Sequence, residues 1–66
     1  MIYFNGEHHE ILTEYGTQRI NIFEKRGSFS TLVKIVNTID EAVDIAKDLL
    51  TDEEFHEFLR FKFIQL

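Results

Sequence analysis

The sequence has 66 residues, enough for one domain, and carries twelve acidic against seven basic side chains, a formal net charge of −5. That charge argues against general binding to nucleic acid or to an anionic membrane, and the absence of cysteine excludes disulfides and thiolate metal sites. No stretch approaches the roughly 20 apolar residues that span a bilayer, and the N-terminus lacks the pattern of a signal peptide. We therefore expect a single acidic domain over 1–66, located in the cytoplasm.

The N-terminal segment carries a hairpin signal. Asn5-Gly6 separates residues 1–4 from residues 7–12, and Asn-Gly is favoured where both central residues of a two-residue turn take positive φ. We expect a strand on each side of this turn, with the polar second strand at an edge of the sheet. Residues 13–17 are expected to form the next turn.

Residues 18–36 predict a second hairpin. Ile20 and Ile22 alternate with more polar neighbours, which is typical of a half-buried strand. A short loop over 25–27 ends in Gly27, where a residue with positive φ would close a bulged hairpin.

The second strand of this hairpin, residues 29–36, is apolar on both faces. Such a strand is either central and covered twice, or half exposed and available to a partner. Because a single helix covers only one face of a small sheet, the second alternative, in which one face of this strand is exposed, must be considered. The alternation predicts one face with Phe29, Thr31, Val33 and Ile35, and another with Leu32 and Val36 beside Ser30 and Lys34.

The clearest periodicity in the chain predicts a helix over 39–50. Asn37 or Thr38 can cap its start, and Asp40 and Glu41 suit the positive end of a helix. Its apolar stripe comprises Ile39, Ala42, Val43, Ala46, Leu49 and Leu50.

The last segment is ambiguous. Thr51 and Glu54 have the spacing of a capping box, which predicts a helical turn over 52–57, whereas the alternation after residue 58 predicts a strand over about 58–65 that pairs with the central hairpin. The alternative is a helix through Arg60 that uses Phe55, Phe58 and Leu59. The expected fold class is α+β: a small antiparallel sheet of about four to five strands, with one main helix packed on one face.

Acidic residues form a row on the predicted helix. Asp40, Asp44 and Asp48 follow one another at four-residue steps of about 6 Å, close to the spacing of successive phosphates along one nucleic-acid strand, and Asp52 and Glu53 continue the negative run. This pattern predicts a surface that binds a basic groove meant for DNA or RNA. The alternative is an ordinary solvated helix face.

Basic residues are concentrated in the central hairpin, at Arg19, Lys25, Arg26 and Lys34. Such segregation suits a surface of two signs or a head-to-tail association. The alternative is that these charges discourage aggregation at the sheet edge.

Metal binding and catalysis have little support in the sequence. His8 and His9 are adjacent on a predicted strand and point to opposite faces, so we expect no metal site. There is no nucleophile elbow and no glycine-rich phosphate loop. A chain this small also has little room for a pocket of several hundred Å³. We therefore expect a protein that is not an enzyme and uses no cofactor.

The helix start Thr38-Ile39-Asp40-Glu41-Ala42, within a strand–strand–helix–strand order over 18–66, resembles small bacteriophage host-takeover proteins of the RNA polymerase inhibitor type. The resemblance implies a non-enzymatic viral inhibitor that binds a host protein in the host cytoplasm.

Two hypotheses about partners follow. In the first, Asp40, Asp44, Asp48, Asp52 and Glu53 contact a host nucleic-acid-handling enzyme, such as a polymerase, nuclease or defence effector, with no direct binding to nucleic acid or membrane. In the alternative, the protein is a structural or regulatory homodimer, antitoxin-like or adaptor-like, in which Leu32 and Val36 meet across a two-fold axis.

Overall fold

The computed structural model describes residues 3–14 and 16–64, without the side chains of residues 3 and 61–64. The strands and helices are β1 (Tyr3–Asn5), β2 (His9–Thr13), β3 (Ile20–Arg26), β4 (Phe29–Val36), α1 (Ile39–Leu49) and α2 (Asp52–Ile64). The strands form one four-stranded antiparallel sheet in the order β1-β2-β3-β4. The predicted α+β class with a small antiparallel sheet is therefore confirmed.

The core lies between one face of the sheet, here called the inner face, and the two helices. Register places Phe4 opposite Ile11, Ile11 opposite Ile22, and Ile20 opposite Val36. The buried apolar residues are Phe4, Ile11, Ile20, Ile22, Val36, Ala42, Ala46, Leu50 and Phe58. Alternation along the strands therefore sets the inner face, as the pattern at Ile20 and Ile22 predicted.

The N-terminal hairpin forms, but its turn and its place in the sheet differ from the prediction. Asn5 belongs to β1 and pairs with Glu10, and the turn is closed by the Gly6 N–H donating to the His9 carbonyl at 2.8 Å. Among the described residues positive φ occurs only at Gly16 and Gly27, so this is not the two-residue Asn-Gly turn. β2 is an interior strand rather than an edge, because it also pairs with β3 through its buried Ile11.

The connection from β2 to β3 overlaps the turn predicted over 13–17, although Thr13 still belongs to β2 and pairs with Ile20. Gly16 has φ 81° there, a value that favours glycine. Residue 15 lies outside the described residues.

The β3–β4 hairpin has a shorter loop than predicted. Arg26 still pairs with Phe29, so the loop is Gly27-Ser28 rather than residues 25–27. Gly27 has φ 62° and Ser28 does not have positive φ, the pattern of a type II′ turn.

A bulge in the middle of β4 corrects the predicted faces of that strand. Ile22 faces Lys34 and Phe23 faces Leu32, which leaves Val33 as an extra residue. An extra residue shifts the alternation of side chains beyond it. The inner face therefore receives Val36 while Leu32 lies on the opposite, outer face, and the prediction that Leu32 and Val36 share one face is wrong.

Helix α1 forms as predicted. The Thr38 side chain caps it by accepting from the Glu41 N–H at 3.2 Å. Ala42 and Ala46 are buried on its apolar side, and Leu50 is buried at its C-cap. The small alanine side chains let the helix pack against the inner face.

Helix α2 replaces the strand that was predicted over about 58–65. The stretch from Asp52 to Ile64 is helical throughout, it contains no Gly or Pro to end a helix, and Phe55, Phe58 and Leu59 recur at helical spacing. Phe58 is fully buried, with its ring centroid 5.6 Å from that of Phe4 at an interplanar angle of 66°. The alternative of a helix through Arg60 is therefore correct, and in the described chain β4 remains an edge strand.

Candidate functional site

An open acidic cleft lies between the N-terminal hairpin turn and the start of α2. Its volume is about 480 Å³. Five of its lining residues carry carboxylates, and they come from two regions that are far apart in sequence. The residues that line it are Asn5, Gly6, Glu7, His8, Thr51, Asp52, Glu53, Glu54 and Glu57.

Glu54 is the residue that joins the two walls of this cleft. Its backbone N–H donates to Thr51 Oγ1 at 3.2 Å, and its Oε1 accepts from the Thr51 N–H at 3.3 Å, so the predicted capping box forms. Its Oε2 accepts from the backbone N–H groups of His8 at 2.6 Å and His9 at 3.0 Å. The carboxylate thus binds the hairpin turn to the start of α2.

The ring of His9 completes the environment of the same carboxylate. His9 Nδ1 lies 3.0 Å from Glu54 Oε1, and the two residues are only 6% and 4% exposed. Buried polar groups need hydrogen-bond partners within the protein. Here the His9 groups of the hairpin and the Glu54 carboxylate of α2 are each other's partners.

The ionisation of Glu54 follows from these contacts. Burial by itself raises the pKa of a carboxyl group. Hydrogen bonds from the His8 backbone, the His9 side chain and the Thr51 backbone outweigh burial and hold the pKa of Glu54 below its ordinary value of 4.5. Glu54 is therefore an ionised structural carboxylate whose oxygens are already used.

Gly6 is required by the close approach of the turn to Glu54. A Cβ at this position would lie 2.7 Å from Glu54 Oε2 and 2.8 Å from the Phe4 ring. On the other side of the turn, Lys25 Nζ donates to the Gly6 carbonyl at 2.7 Å and to Asn5 Oδ1. The turn is therefore held from both sides.

The remaining carboxylates of the cleft are exposed. Glu7, Asp52, Glu53 and Glu57 face solvent. No described Lys or Arg forms an ion pair with any of them, and His8 Nε2 lies 3.9 Å from Glu7 Oε1. Among the residues whose side chains the structure describes, no Lys or Arg lines the cleft. Since like charges raise the local negative potential, the cleft suits a cationic group.

The structure divides the predicted acidic surface into two parts. Asp52 and Glu53 line the cleft, whereas Asp40, Asp44 and Asp48 are exposed along α1. None of these five forms an ion pair with a described side chain. Sequence reasoning missed Glu7 as a part of the acidic surface, because it lies far from α2 along the chain and only the fold brings it there.

Asp48 lies at the end of the row on α1 and lines a second, shallower groove of about 280 Å³ beside β4. The other residues of this groove are Val33, Lys34, Ile45 and Leu49. The groove has an apolar floor and one charge of each sign, so it differs in chemistry from the acidic cleft.

Leu32 and Val36, the two apolar residues predicted to contact a partner, differ in their exposure to solvent. Leu32 is 48% exposed on the outer face of the sheet, but Val36 is only 3% exposed and packs in the core. The predicted contact of Leu32 and Val36 across a two-fold axis is therefore corrected. Its physical cause is the bulge at Val33, which sends the two side chains to opposite faces.

The fold and the site define a small α+β protein with an antiparallel meander, two helices and an acidic surface in two parts. Comparison of the chain with protein-family models, with curated proteins and with solved structures finds no match. Neither described helix has the length and apolar character needed to cross a bilayer. Within residues 3–14 and 16–64, no three His, Asp or Glu side chains are grouped so that they could hold a metal ion.

Proposed function

We propose that this protein is a non-enzymatic inhibitor that binds a basic surface on a host nucleic-acid-handling protein. The observation that carries the proposal is the set of exposed carboxylates that make no ion pair with a described side chain, on α1 and around the cleft. Residues 40–57 hold eight acids and a single Lys. A helix selected for stability alone would alternate the signs of its charges.

The row on α1 would occupy the positions of phosphates on the partner. Asp40, Asp44 and Asp48 rise along the helix in steps of about 6 Å, and all three carboxylates are exposed. A groove that binds a nucleic-acid backbone through Lys and Arg would accept such a row as a mimic of the backbone. Inhibition then follows from occupation of the groove.

The cleft would take one Arg or Lys side chain of the same partner. Its exposed carboxylates surround a space of about 480 Å³, and a guanidinium or ammonium group there would gain charge-assisted hydrogen bonds. Because Glu54 fixes the turn to α2, the cleft walls are already in place before binding, which lowers the entropy cost of binding.

The strand–strand–helix–strand order of the resemblance does not hold, because the last element is helix α2. The resemblance of the α1 start to phage host-takeover proteins remains, and from it we propose a bacterial target, with the protein acting in the host cytoplasm. A polymerase, a nuclease or a defence effector has the basic groove that the acidic surface requires. Electrostatic binding of this kind is weakened by salt.

The test compares charge reversals on and off the acidic surface. Tagged wild type, the double variant Asp44→Lys/Asp48→Lys and the cleft variant Glu53→Lys are used to capture proteins from a bacterial lysate at low and high salt. Each captured protein is then tested for displacement by duplex DNA or by RNA. Glu10→Lys, on the outer face of the sheet, changes the net charge by the same amount as Glu53→Lys and is its control; the double variant changes the net charge by twice as much.

We expect the wild type and Glu10→Lys to retain a nucleic-acid-handling protein that high salt or nucleic acid releases. The Asp44→Lys/Asp48→Lys variant should lose it while keeping its circular dichroism spectrum, and Glu53→Lys should weaken it. Unchanged capture by the Asp44→Lys/Asp48→Lys variant, or a partner that nucleic acid fails to displace, would contradict the proposal.

A further inference from the structure

β4 is an edge strand that the fold leaves uncovered. Seven of its eight residues are exposed, and all the exposed large apolar side chains in the described part of the chain lie on it: Phe29, Leu32, Val33 and Ile35. Natural edge strands are normally kept short or protected by charges, proline or a bulge. β4 is long and has the bulge at Val33, but its sequence holds no proline and one charge, Lys34.

We propose that β4 pairs in antiparallel fashion with β4 of a second copy of this chain, around a two-fold axis. Two four-stranded sheets would then form one continuous sheet, and the free backbone groups of both edges would be paired. This inference does not rest on the proposed function, since β4 contributes no residue to the acidic cleft or to the row on α1.

The faces of β4 select the register of this pairing. On the inner face lie Phe29, Thr31, Lys34 and Val36, which pair within the chain with Arg26, Glu24, Ile22 and Ile20. On the outer face lie Ser30, Leu32 and Ile35, which pair with Lys25, Phe23 and Asn21. Residues opposite each other in a sheet share a face, so a two-fold pairing has to join inner to inner and outer to outer.

One register satisfies this condition for every β4 residue that pairs with β3. It places Phe29 opposite Val36 of the second copy, Ser30 opposite Ile35, and Thr31 opposite Lys34. Leu32 is then opposite Val33 of the second copy, and these two pairs lie on either side of the axis. The single charge of the strand faces a threonine rather than its own copy, so no like charges are opposed.

Charge complementarity favours a second copy over an unrelated strand. Antiparallel pairing puts the Phe29 end of one copy beside the Val36 end of the other, where α1 begins. Arg26 pairs with Phe29 on the inner face, the face on which the helices pack, and the first turn of α1 carries Asp40 and Glu41. The basic hairpin tip of each copy therefore approaches the acidic helix start of the other, and the symmetry makes this contact twice.

The guanidinium of Arg26 can make this contact without losing its present one. Arg26 Nε donates to Glu24 Oε1 at 2.6 Å, and its side chain is 75% exposed. A guanidinium has five donors in a planar fork, so the terminal nitrogens remain for a second carboxylate.

The groove beside β4 runs along the same edge. Its apolar residues Ile45 and Leu49 lie next to Val33, on the side of the sheet where α1 of the second copy would sit. Pairing at β4 therefore also brings the two grooves together, and their apolar floors are removed from water.

The first measurement is sedimentation equilibrium of the full chain over a range of concentrations. We expect a reversible monomer–dimer equilibrium. Leu32→Lys places two like charges at the axis and should raise the dimer dissociation constant at least about tenfold. Gln18→Lys adds the same charge in the exposed β2–β3 connection and should leave the dissociation constant unchanged. A chain that is monomeric at every concentration overturns the proposal, as does a dimer that Leu32→Lys leaves intact.

Two further variants test the register. Arg26→Glu should weaken the dimer, and the double variant Arg26→Glu/Asp40→Arg should restore it, which a merely structural effect of Arg26 would not do. Since the chain has no cysteine, single cysteines report contacts directly: a mixture of Thr31→Cys and Lys34→Cys should crosslink to each other faster than either does to itself. A dimer without rescue or without preferred heterologous crosslinking would overturn the β4 pairing.

Discussion

The two helix starts use the same four-residue motif with different consequences. Thr38 and Thr51 each accept from the backbone N–H of the Glu three residues later, and both distances are 3.2 Å. Each Glu accepts in return from its threonine hydroxyl, at 3.2 Å for Glu41 and 3.4 Å for Glu54. Locally the two motifs differ in one bond: Glu54 accepts from the Thr51 N–H at 3.3 Å, whereas Glu41 accepts from the Asn37 N–H at 3.4 Å.

The two capping boxes also differ in their surroundings. Glu41 is exposed, and its carboxylate binds only groups within its own helix start. Glu54 is buried and also binds two amides and one ring of the N-terminal hairpin. A sequence motif therefore defines where a helix begins, while the contacts supplied by the fold decide how much the fold depends on it.

Removal of Glu54 is expected to give the largest effect. Glu54→Ala leaves the buried His9 amide and the part-buried His8 amide without their acceptor, and unsatisfied donors of this kind cost about 3 kcal/mol together. Urea denaturation followed by circular dichroism measures the loss. Glu41→Ala is the matched control and should cost only about 0.5 kcal/mol, because its site is open to water. Equal losses in the two variants would remove the distinction between the capping boxes.

A methyl group at Gly6 should have the next largest effect. Gly6→Ala puts a Cβ into the 2.7 Å approach to Glu54 Oε2 and should destabilise by about 2 kcal/mol. Gly16→Ala is the control: its Cβ meets nothing within 4 Å and its φ is 81°, so its cost is backbone strain alone, about 1 kcal/mol.

The same pair of positions gives a test of coupling. If the methyl group acts by displacing the Glu54 carboxylate, Gly6→Ala should cost less in a Glu54→Ala background than in the wild type. Strict additivity of the two substitutions in denaturation experiments would locate the effect of Gly6→Ala elsewhere.

Acid should produce the smallest effect of the three, because the Glu54 side chain stays in place. The pKa of Glu54 is lower in the folded than in the unfolded chain, so its ionisation stabilises the fold above the ordinary value of 4.5. This contribution is lost as pH falls from there through the folded value. Free energies of unfolding measured between neutral and acidic pH should therefore fall less steeply for Glu54→Gln than for wild type. Identical acid limbs for Glu54→Gln and wild type would contradict the assignment.

The sequence predicted best where local pattern and tertiary structure agree. The stripe of α1, its Thr38 cap and the bounds of β4 all follow from spacing and capping chemistry. The prediction of a strand after Glu57 was wrong. It was based on the alternation of Leu59, Phe61 and Phe63 in the sequence. Burial of Phe58 against Phe4, and the absence of any turn residue, make a helix the better solution.

Features that depend on pairing between distant segments could not be predicted from the sequence. No residue in the sequence around Val33 indicates a bulge. The bulge nevertheless determines that Val36 is buried and Leu32 is exposed. The capping-box role of Glu54 was readable, but its bonds to His8 and His9 were not, and neither was the meeting of Glu7 with Asp52 and Glu53 in one cleft.

The Glu54 bridge also has a consequence for the order of folding. The contact between His8 and Glu54 joins residues 46 positions apart in the chain, whereas the sheet is a meander whose neighbouring strands follow one another in sequence. Local pairings close short loops and form early, and distant ones carry a larger loop-closure entropy. During synthesis this hairpin leaves the ribosome well before α2, so its turn amides stay hydrated until Glu54 reaches them.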